Sequence, residues 1–346
     1  MAVDPDLRRD DLWYDLPEEA VAQRPIEPRD AARLLDTRDG TDHVFADLPH
    51  LLEPGDLVVV NRTKVRHARL VGQRVDTGGR LELLVLAPLG DDRWEALARP
   101  ARRLRPGVEI AVGERRAEVV AGPEEGRVVV RLGGGAEAWF PSVGEVPLPP
   151  YIHETLDDPD RYQTIFADRV GSAAAPTAGL HFTDRVVRDL AGRGIPLTSV
   201  DLEVGVGTFR PVATERLADH VMHAERFSVD DAAVSAVRAC RERGGRVVAV
   251  GTTVVRTLEA RAADGGLVRA GEGSTDLFIT PGYDFRVVDL VVTNFHVPGS
   301  TLVALVGAVL GDRWRAVYAD ALARGYRFLS FGDAMLGATG RHRAPA

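Results

Sequence analysis

The sequence predicts an α/β protein in which a larger α/β domain is interrupted by an inserted, small all-β barrel-like domain. Residues 58–150 contain about six short apolar or alternating runs separated by turn signals, a pattern typical of a small barrel. Strand and helix patterns alternate beyond residue 150, and the N-terminal segment carries helix and strand signals of its own. We therefore expect residues 1–58 plus 151–346 to form a discontinuous α/β catalytic domain and residues 59–150 to form the inserted β-barrel domain.

The insert is bounded by turns and by proline. Its expected strands are Ala68–Val75, Arg80–Ala87, Arg93–Ala98, Val108–Val112, Arg116–Ala121 and Arg127–Leu132. Turn signals such as Arg105-Pro106-Gly107 lie between them. The insert ends in Val146-Pro147-Leu148-Pro149-Pro150, because prolines at this density can continue neither a helix nor a central strand.

The α/β part contains capped helices that follow apolar strands. Thr183 is placed to cap a helix over Asp184–Ala191, and Ser300 or Thr301 to cap one running through Leu310. The pattern also predicts strands over Pro196–Val204, Arg246–Val250 and Phe285–Val292, and helices over Val229–Arg243 and from Thr252 or Thr253.

Composition excludes several classes of protein. Of the 346 residues, 45% are hydrophobic and 27% are charged, as in ordinary globular proteins and unlike disordered chains. The N-terminus lacks the apolar stretch of a secretory signal, and the apolar run over 297–311 is too short to span a bilayer. The single cysteine, Cys240, excludes an internal disulfide and a multi-cysteine metal site. We expect a cytoplasmic monomer with no membrane partner.

Positive charge is concentrated at the start of the insert. The chain has a formal net charge of −8, whereas Val60–Arg105 carries 11 basic and five acidic residues, a net of +6. One interpretation is a solvated strand face in an arginine-rich protein; the other is an anion-binding surface. Under the second interpretation, the candidate nucleic-acid-binding residues are Arg62, Lys64, Arg66, Arg69, Arg99, Arg102, Arg103 and Arg105.

Two glycine-containing stretches are candidate ligand sites. Pro176–Thr183 presents His181 beside a helix start, where the histidine either transfers a proton or only packs against the turn; Thr177 and Gly179 are candidate substrate contacts. Gly205, Gly207 and Thr208 follow a strand, and glycines there let a ligand approach the backbone. This second stretch superficially resembles a methyltransferase motif, but the next strand ends without the acidic residue that would hold a ribose.

Two later strand ends carry hydroxyl, amide and charged groups. Gly251, Thr252 and Thr253 open a helix whose free amides suit a carboxylate or phosphate, with Arg256 one turn further on; ordinary capping plus a surface Arg–Glu pair is the alternative. Asn294 and His296 end the next strand. A further group, His220, His223 and Glu225, does not have a known helical zinc spacing, so we expect no metal.

Together these stretches resemble one family, the S-adenosylmethionine:tRNA ribosyltransferase-isomerases of queuosine biosynthesis. The resemblance runs nearly end to end and rests on many motifs in order, including YDLP (14–17), PLPPYI (147–152), PTAGLHFT (176–183), GTFRPV (207–212), VGTT (250–253), RTLE (256–259), TNFH (293–296) and GDAML (332–336). It implies an α/β domain interrupted by a β-barrel domain, as the residue patterns independently predict.

The resemblance also implies an activity. The ribosyl part of S-adenosylmethionine, the co-substrate, is transferred with isomerisation to the aminomethyl group of 7-aminomethyl-7-deazaguanine at the wobble position of tRNA. Adenine and methionine leave, and epoxyqueuosine remains in the tRNA. The sulfonium acidifies the C5′ hydrogens, so a positioned base is needed, and departing adenine needs a proton or strong hydrogen bonds. His181 is the first candidate for proton transfer and His296 the second; Arg256 is the candidate partner of the methionine carboxylate.

Three positions depart from the family's usual pattern. Arg62 stands where an aspartate is usual, Gly299 where a lysine is common, and Val254 where a serine is common. Two alternatives to the ribosyltransferase interpretation therefore stay open. One is an S-adenosylmethionine-dependent RNA methyltransferase, and the other is a catalytically inert RNA-binding paralogue.

Overall fold

The computed structural model describes residues 4–205 and 211–342 and divides the chain into two compact units. The first unit comprises residues 1–64, 149–169 and 175–346, and the second comprises residues 65–148 and 170–174. The predicted fold class is confirmed, since an antiparallel barrel interrupts a larger α/β unit.

A nine-stranded mixed sheet forms the centre of the first unit. Its strands, in spatial order, are β15 (Gly271–Thr275), β13 (Glu225–Val229), β12 (Leu197–Leu202), β3 (Leu57–Asn61), β14 (Val247–Val250), β16 (Leu290–Asn294), β17 (Ala334–Ala338), β1 (Arg33–Asp36) and β2 (Thr41–Val44). The four central strands β12, β3, β14 and β16 are parallel, and their apolar runs are buried as expected for strands covered on both faces.

Helices and irregular segments cover this sheet. The α-helices of the first unit are α1 (Leu48–Leu51), α3 (Asp184–Gly192), α4 (Asp231–Glu242), α5 (Thr252–Ala260), α6 (Thr301–Leu310) and α7 (Trp314–Ala323). Thr183 and Ser300 cap α3 and α6 as predicted, each accepting a hydrogen bond from a first-turn amide. One face of the sheet packs on an apolar cluster that includes Phe45, Phe182 and Leu190.

The second unit is a closed six-stranded antiparallel barrel. Its strands, in spatial order, are β10 (Arg127–Leu132), β7 (Arg93–Arg99), β6 (Arg80–Gly90), β5 (Arg69–Arg74), β8 (Glu109–Val112) and β9 (Arg115–Glu124). Alternate residues fill the interior, and helix α2 (Ala136–Val143) adds Trp139 and Phe140 to the same core. Two short strands, β4 (Thr63–Val65) and β11 (Arg169–Ser172), form a separate two-stranded sheet.

Two predicted element positions differ from the structure. Residue 59, the expected first residue of the insert, lies inside β3, because the apolar run Leu57–Val60 is wholly buried in the large sheet. The strand expected from Phe285 begins only at Leu290. The amides of Arg286, Val287 and Val288 instead donate to the carboxylate of Glu259, which takes the place of a neighbouring strand. In the described part of the chain, no helix has the length and hydropathy that a membrane crossing requires.

Candidate active site

A cleft lies where the parallel strands β14 and β16 end, the position at which open α/β sheets bind ligands. It contains about 560 Å³ of empty space, part of it open to solvent. We call it the strand-end cleft. Its polar lining residues are Tyr151, Thr177, Thr252, Thr253, Thr293, Asn294, His296, Ser300 and Ser330.

A glycine turn places the start of α5 against this cleft. Gly251 has a φ of +89°, a conformation that side-chain-bearing residues rarely adopt, and it lets the chain turn directly from β14 into the helix. Thr252 and Thr253, the first two helical residues, line the cleft. The N-terminus of a helix attracts anions because its first amides lack intrahelical acceptors. This wall is therefore suited to a carboxylate.

Asn294 connects the cleft to the residues behind it. Its Oδ1 accepts a hydrogen bond from Thr177 at 2.8 Å, while its Nδ2 donates to His181 Nε2 at 3.2 Å and to the Asp333 carbonyl at 3.3 Å. The amide is consequently held in one orientation. Thr177 and Asn294, both predicted as substrate contacts, lie together on the cleft wall.

His181 lies behind Asn294 and is not among the residues lining the cleft. It ends a 3₁₀-helix over Thr177–His181 and packs beside the ring of Phe45. Burial, with a smaller contribution from the charge of Arg327, lowers the pKa of His181 to about 4, so its ring is neutral near pH 7. A neutral imidazole that accepts from Asn294 orients the amide. Gly179, in the same 3₁₀-helix, faces Thr164 and is also absent from the cleft lining.

His296 lines the cleft directly. Its Nε2 lies 2.9 Å from the Thr293 hydroxyl, and its backbone N–H donates to the Tyr318 hydroxyl at 3.2 Å. Tyr14 donates to the backbone carbonyl of His296. Burial lowers the pKa of His296 to about 3, so this ring too is neutral near pH 7, with one nitrogen donating and the other accepting. Of the two predicted histidines, only His296 reaches the cleft.

Each of the three guanidinium nitrogens of Arg256 donates to a group within the protein. It forms a buried ion pair with Glu225 and donates to the carbonyls of Leu277 at 3.0 Å and Thr275 at 3.3 Å. Both charged side chains are less than 10% exposed. The guanidinium therefore holds β13 and the 275–277 segment to α5, which leaves it poorly placed to fork onto a substrate carboxylate.

A second pocket adjoins the strand-end cleft, and Leu302 lines both. We call it the histidine pocket; it contains about 920 Å³ of empty space, part of it open to solvent. Its lining includes Gly205, His220, His223, Glu225, Arg256 and Phe278. Gly205 donates its amide to Glu225 at 3.0 Å. The predicted contacts Gly207 and Thr208 lie outside the described residues. Within the described chain, no group of three or more histidine, cysteine or acidic residues is arranged to hold a metal ion.

The eight candidate nucleic-acid-binding residues fall into two groups, of which the first is at least partly buried or paired with acidic residues. Arg66 is buried in the barrel, where it pairs with Glu137, and Arg69 pairs with Glu82 and Glu145. Arg62, in the first unit, pairs with Asp201 at 2.8 Å, and Lys64 is half-buried on β4. The other group consists of exposed residues on one loop and the strand that precedes it. We call Arg99, Arg102, Arg103 and Arg105 the barrel arginine cluster. None of its members forms an ion pair within the described residues.

The three departures from the family pattern have distinct environments. Arg62 pairs with one carboxylate oxygen of the buried Asp201 and also faces Asp230 at 3.4 Å, so its charge is matched locally. Val254 is fully buried in the first turn of α5. Gly299 has a φ of +68°, and a Cβ there would lie 3.2 Å from the ring of Trp13. A side chain at 299 would therefore displace that ring.

Sequence reasoning missed four polar residues of the cleft, one of which, Ser300, it had expected only as a helix cap. Thr293 lies beside His296, and Tyr151 and Ser330 share a hydrogen bond of 2.7 Å between their hydroxyls. Thr293 and Tyr151 belong to the TNFH and PLPPYI motifs, so the sequence marked their positions without indicating their role. Ser330 had no local signal, because only the tertiary fold brings it to the cleft.

Comparisons with known proteins agree with this architecture. Residues 9–336 match the family described as queuosine biosynthesis protein. The chain is 52% identical over 335 residues to the S-adenosylmethionine:tRNA ribosyltransferase-isomerase of Heliobacterium modesticaldum, covering 93% of this chain and 97% of that protein. It is 50% identical over 339 residues to the enzyme of the same name from Symbiobacterium thermophilum, covering 95% and 99%.

A solved structure is similar over the same extent. The crystal structure of S-adenosylmethionine tRNA ribosyltransferase from Thermotoga maritima matches with a TM-score of 0.52 and 34% identity, covering 94% of this chain and 99% of that one. The family resemblance predicted from the motifs is thus confirmed. The chain belongs to the queuosine biosynthesis protein family, with the S-adenosylmethionine:tRNA ribosyltransferase-isomerases of these organisms as its relatives.

Proposed function

We propose that the strand-end cleft binds S-adenosylmethionine and that the chain transfers and isomerises its ribosyl group onto the aminomethyl group of 7-aminomethyl-7-deazaguanine in tRNA, giving epoxyqueuosine. One observation carries the assignment of the donor to this cleft. The start of α5 and the fixed amide of Asn294 face the same space, at the carboxyl ends of two adjacent parallel strands.

The cleft offers separate partners for the two ends of the donor. The first amides of α5, at Thr252 and Thr253, suit the methionine carboxylate, and they replace Arg256 in that role because Arg256 is paired with Glu225. The carboxamide of Asn294 and the hydroxyl of Thr177 suit the ribose hydroxyls. Asn294 and Thr177 are held by their mutual hydrogen bond, so little ordering of these two side chains is needed when the donor binds.

His296 is the residue that we assign to proton transfer. Its neutral ring lines the cleft, whereas His181 is separated from it by Asn294. The sulfonium of the donor acidifies the adjacent C5′ hydrogens, and His296 is unprotonated near pH 7. Burial weakens this ring as a base, so its position in the cleft carries the assignment. The proton then becomes available for the departing adenine. His181 acts through Asn294 as a positioning residue.

The acceptor requires a neighbouring site for a purine-like base. The histidine pocket adjoins the cleft across Leu302 and presents Phe278 and the half-buried His220. An aromatic ring stacks on a base that has left the anticodon stack. The barrel arginine cluster supplies unpaired positive charge for tRNA phosphates.

Donor binding to cleft variants tests the assignment. Asn294→Ala and Thr252→Pro, which removes the first amide of α5 at a helix position that tolerates proline, should each weaken S-adenosylmethionine binding by about threefold to tenfold, the usual effect of losing one hydrogen bond. The control is Thr257→Val, on the same helix but outside the cleft lining. If all three variants bind the donor as the unmodified protein does, the donor site lies elsewhere.

A further inference from the structure

The side chain of Trp13 is the starting point for an inference about how the substrate RNA is held. The chain has four tryptophans, and Trp94, Trp139 and Trp314 are at most 6% exposed, whereas Trp13 is 53% exposed. Tryptophan side chains are highly buried on average, as the other three are here. An ordered, half-exposed indole therefore offers a ring face to a ligand.

The backbone on either side of Trp13 is fixed to the loop that walls the strand-end cleft. The carbonyl of Leu12 accepts the Gly299 amide at 2.9 Å, and the Tyr14 hydroxyl donates to the carbonyl of His296. Trp13 itself rests on Gly299, where the missing side chain leaves room for the indole. The ring is consequently held at a set position relative to the cleft.

This position lies between the two pockets. Val297 and Ser300, on either side of Gly299 in sequence, line the strand-end cleft, while Thr301 lines the histidine pocket. Two guanidinium groups lie near the ring, among acidic neighbours. The Arg9 stem approaches Gly299 while its guanidinium pairs with Asp10, and the exposed Arg315 donates to the carbonyl of Asp11. An aromatic face beside guanidinium groups is the combination that binds single-stranded nucleic acid.

We propose that Trp13 stacks on an unpaired nucleotide of the tRNA anticodon loop next to the base that reacts. This inference rests on the proposed function, since a base that enters the pockets brings its neighbours in the loop to their rim. Stacking requires only a π-face, so Trp13 contributes affinity and orientation without reading the identity of the nucleotide.

Tryptophan fluorescence with an RNA hairpin that reproduces the anticodon stem and loop tests this inference. Trp13 is the exposed fluorophore, so stacking should quench its solvent-shifted emission, and Trp13→Phe should remove that signal. Trp13→Ala should weaken hairpin binding about tenfold, whereas Trp13→Phe, which keeps a ring, should change it by less than about threefold. S-adenosylmethionine binding should be unchanged in both variants.

Hairpin binding at low and high salt distinguishes a stacking contact from an electrostatic one. The weakening caused by Trp13→Ala should be the same at low and high salt, because no ion pair is lost. Hairpin binding by Trp13→Ala equal to that of the unmodified protein would overturn the proposal. Quenching by S-adenosylmethionine without RNA would overturn it as well, by showing that the ring contacts the donor. These readouts need no turnover, so a failure of ribosyl transfer is detected separately.

Discussion

The Asn294 side-chain amide donates to Nε2 of His181 at 3.2 Å, and this contact helps to fix the position of the amide. Asn294 faces the strand-end cleft and His181 supports it from behind. Because His181 Nε2 acts as the acceptor, the amide is oriented with Oδ1 toward Thr177. The histidine in the PTAGLHFT motif thus affects the cleft through another side chain.

Exchange of His181 should therefore lower turnover less than the loss of a proton-transfer group would. We expect His181→Ala to reduce kcat about tenfold and Asn294→Ala to reduce it more. The double variant should have nearly the same kcat as Asn294→Ala, because both substitutions remove the same hydrogen bond. Single-turnover rates measure this. A loss of 10²–10⁴-fold in His181→Ala, together with independent effects in the double variant, would return His181 to direct proton transfer.

The Arg256–Glu225 pair should contribute to stability more than to donor selectivity. Arg256→Ala leaves a buried carboxylate unpaired, so we expect the free energy of unfolding to fall by about 3–5 kcal/mol. Arg216→Ala, which breaks an exposed pair with Asp219, should leave the free energy of unfolding nearly unchanged. Urea unfolding measures both variants.

A measurement of donor selectivity can contradict this structural role for Arg256. Glu225→Gln keeps the shape of the site and should bind S-adenosylmethionine in preference to its decarboxylated analogue as strongly as the unmodified protein does. The same preference should persist in Arg256→Ala under conditions where it is folded. A folded Arg256→Ala that binds the two compounds equally would show that the arginine holds the carboxylate.

The barrel arginine cluster should determine the salt dependence of tRNA binding. Arg102→Ala with Arg103→Ala should weaken tRNA binding. It should also reduce the slope of log affinity against log salt concentration by about one to two units, because fewer phosphate contacts release fewer counterions on binding. The matched control is Arg116→Ala with Arg131→Ala, an equal change in charge at barrel residues already paired with Glu109 and Glu118. Equal slopes in the two double variants would mean that the cluster faces solvent in the complex.

The buried histidines should make the protein less stable in mild acid. His296 titrates in the unfolded chain near pH 6.5 but has a pKa of about 3 when folded, so the unfolded state binds the extra proton first. The contribution of the neutral His296 ring to the free energy of unfolding is complete above about pH 6.5. It is lost as the pH falls below that value, by about 1.4 kcal/mol per pH unit. Urea unfolding between about pH 7 and pH 5 should show a shallower decline for His296→Gln. Parallel curves would contradict the burial of this ring.

The sequence predicted the fold well because local patterns agreed with the tertiary structure. Alternation in the barrel and continuous apolar runs such as Val247–Val250 match the faces that become buried. The segment from Phe285 is an instructive exception. Its apolar pattern resembles a strand, yet Glu259, 26 residues earlier in the chain, accepts its amides. When a side chain instead of a neighbouring strand accepts the backbone amides, the sequence carries no periodic pattern that indicates it.

The site was less predictable than the fold. Motifs located Thr177, Thr252, Asn294 and His296, all of which line the strand-end cleft. They did not show that a buried acid from another strand pairs with Arg256, or that Asn294 stands in front of His181. Composition likewise could not separate the buried Arg66 from the exposed barrel arginine cluster. Such distinctions depend on which side chains meet across long sequence separations.

The most direct test is product analysis with tRNA that carries 7-aminomethyl-7-deazaguanine at the wobble position. After incubation with the protein and S-adenosylmethionine, mass spectrometry of the nucleosides and small molecules identifies the reaction. Ribosyl transfer from the strand-end cleft predicts epoxyqueuosine in the tRNA with adenine and methionine released in equal amounts, and a much slower appearance of all three with Asn294→Ala. Formation of S-adenosylhomocysteine with a methylated nucleoside, or binding of both substrates without any product, would contradict the account.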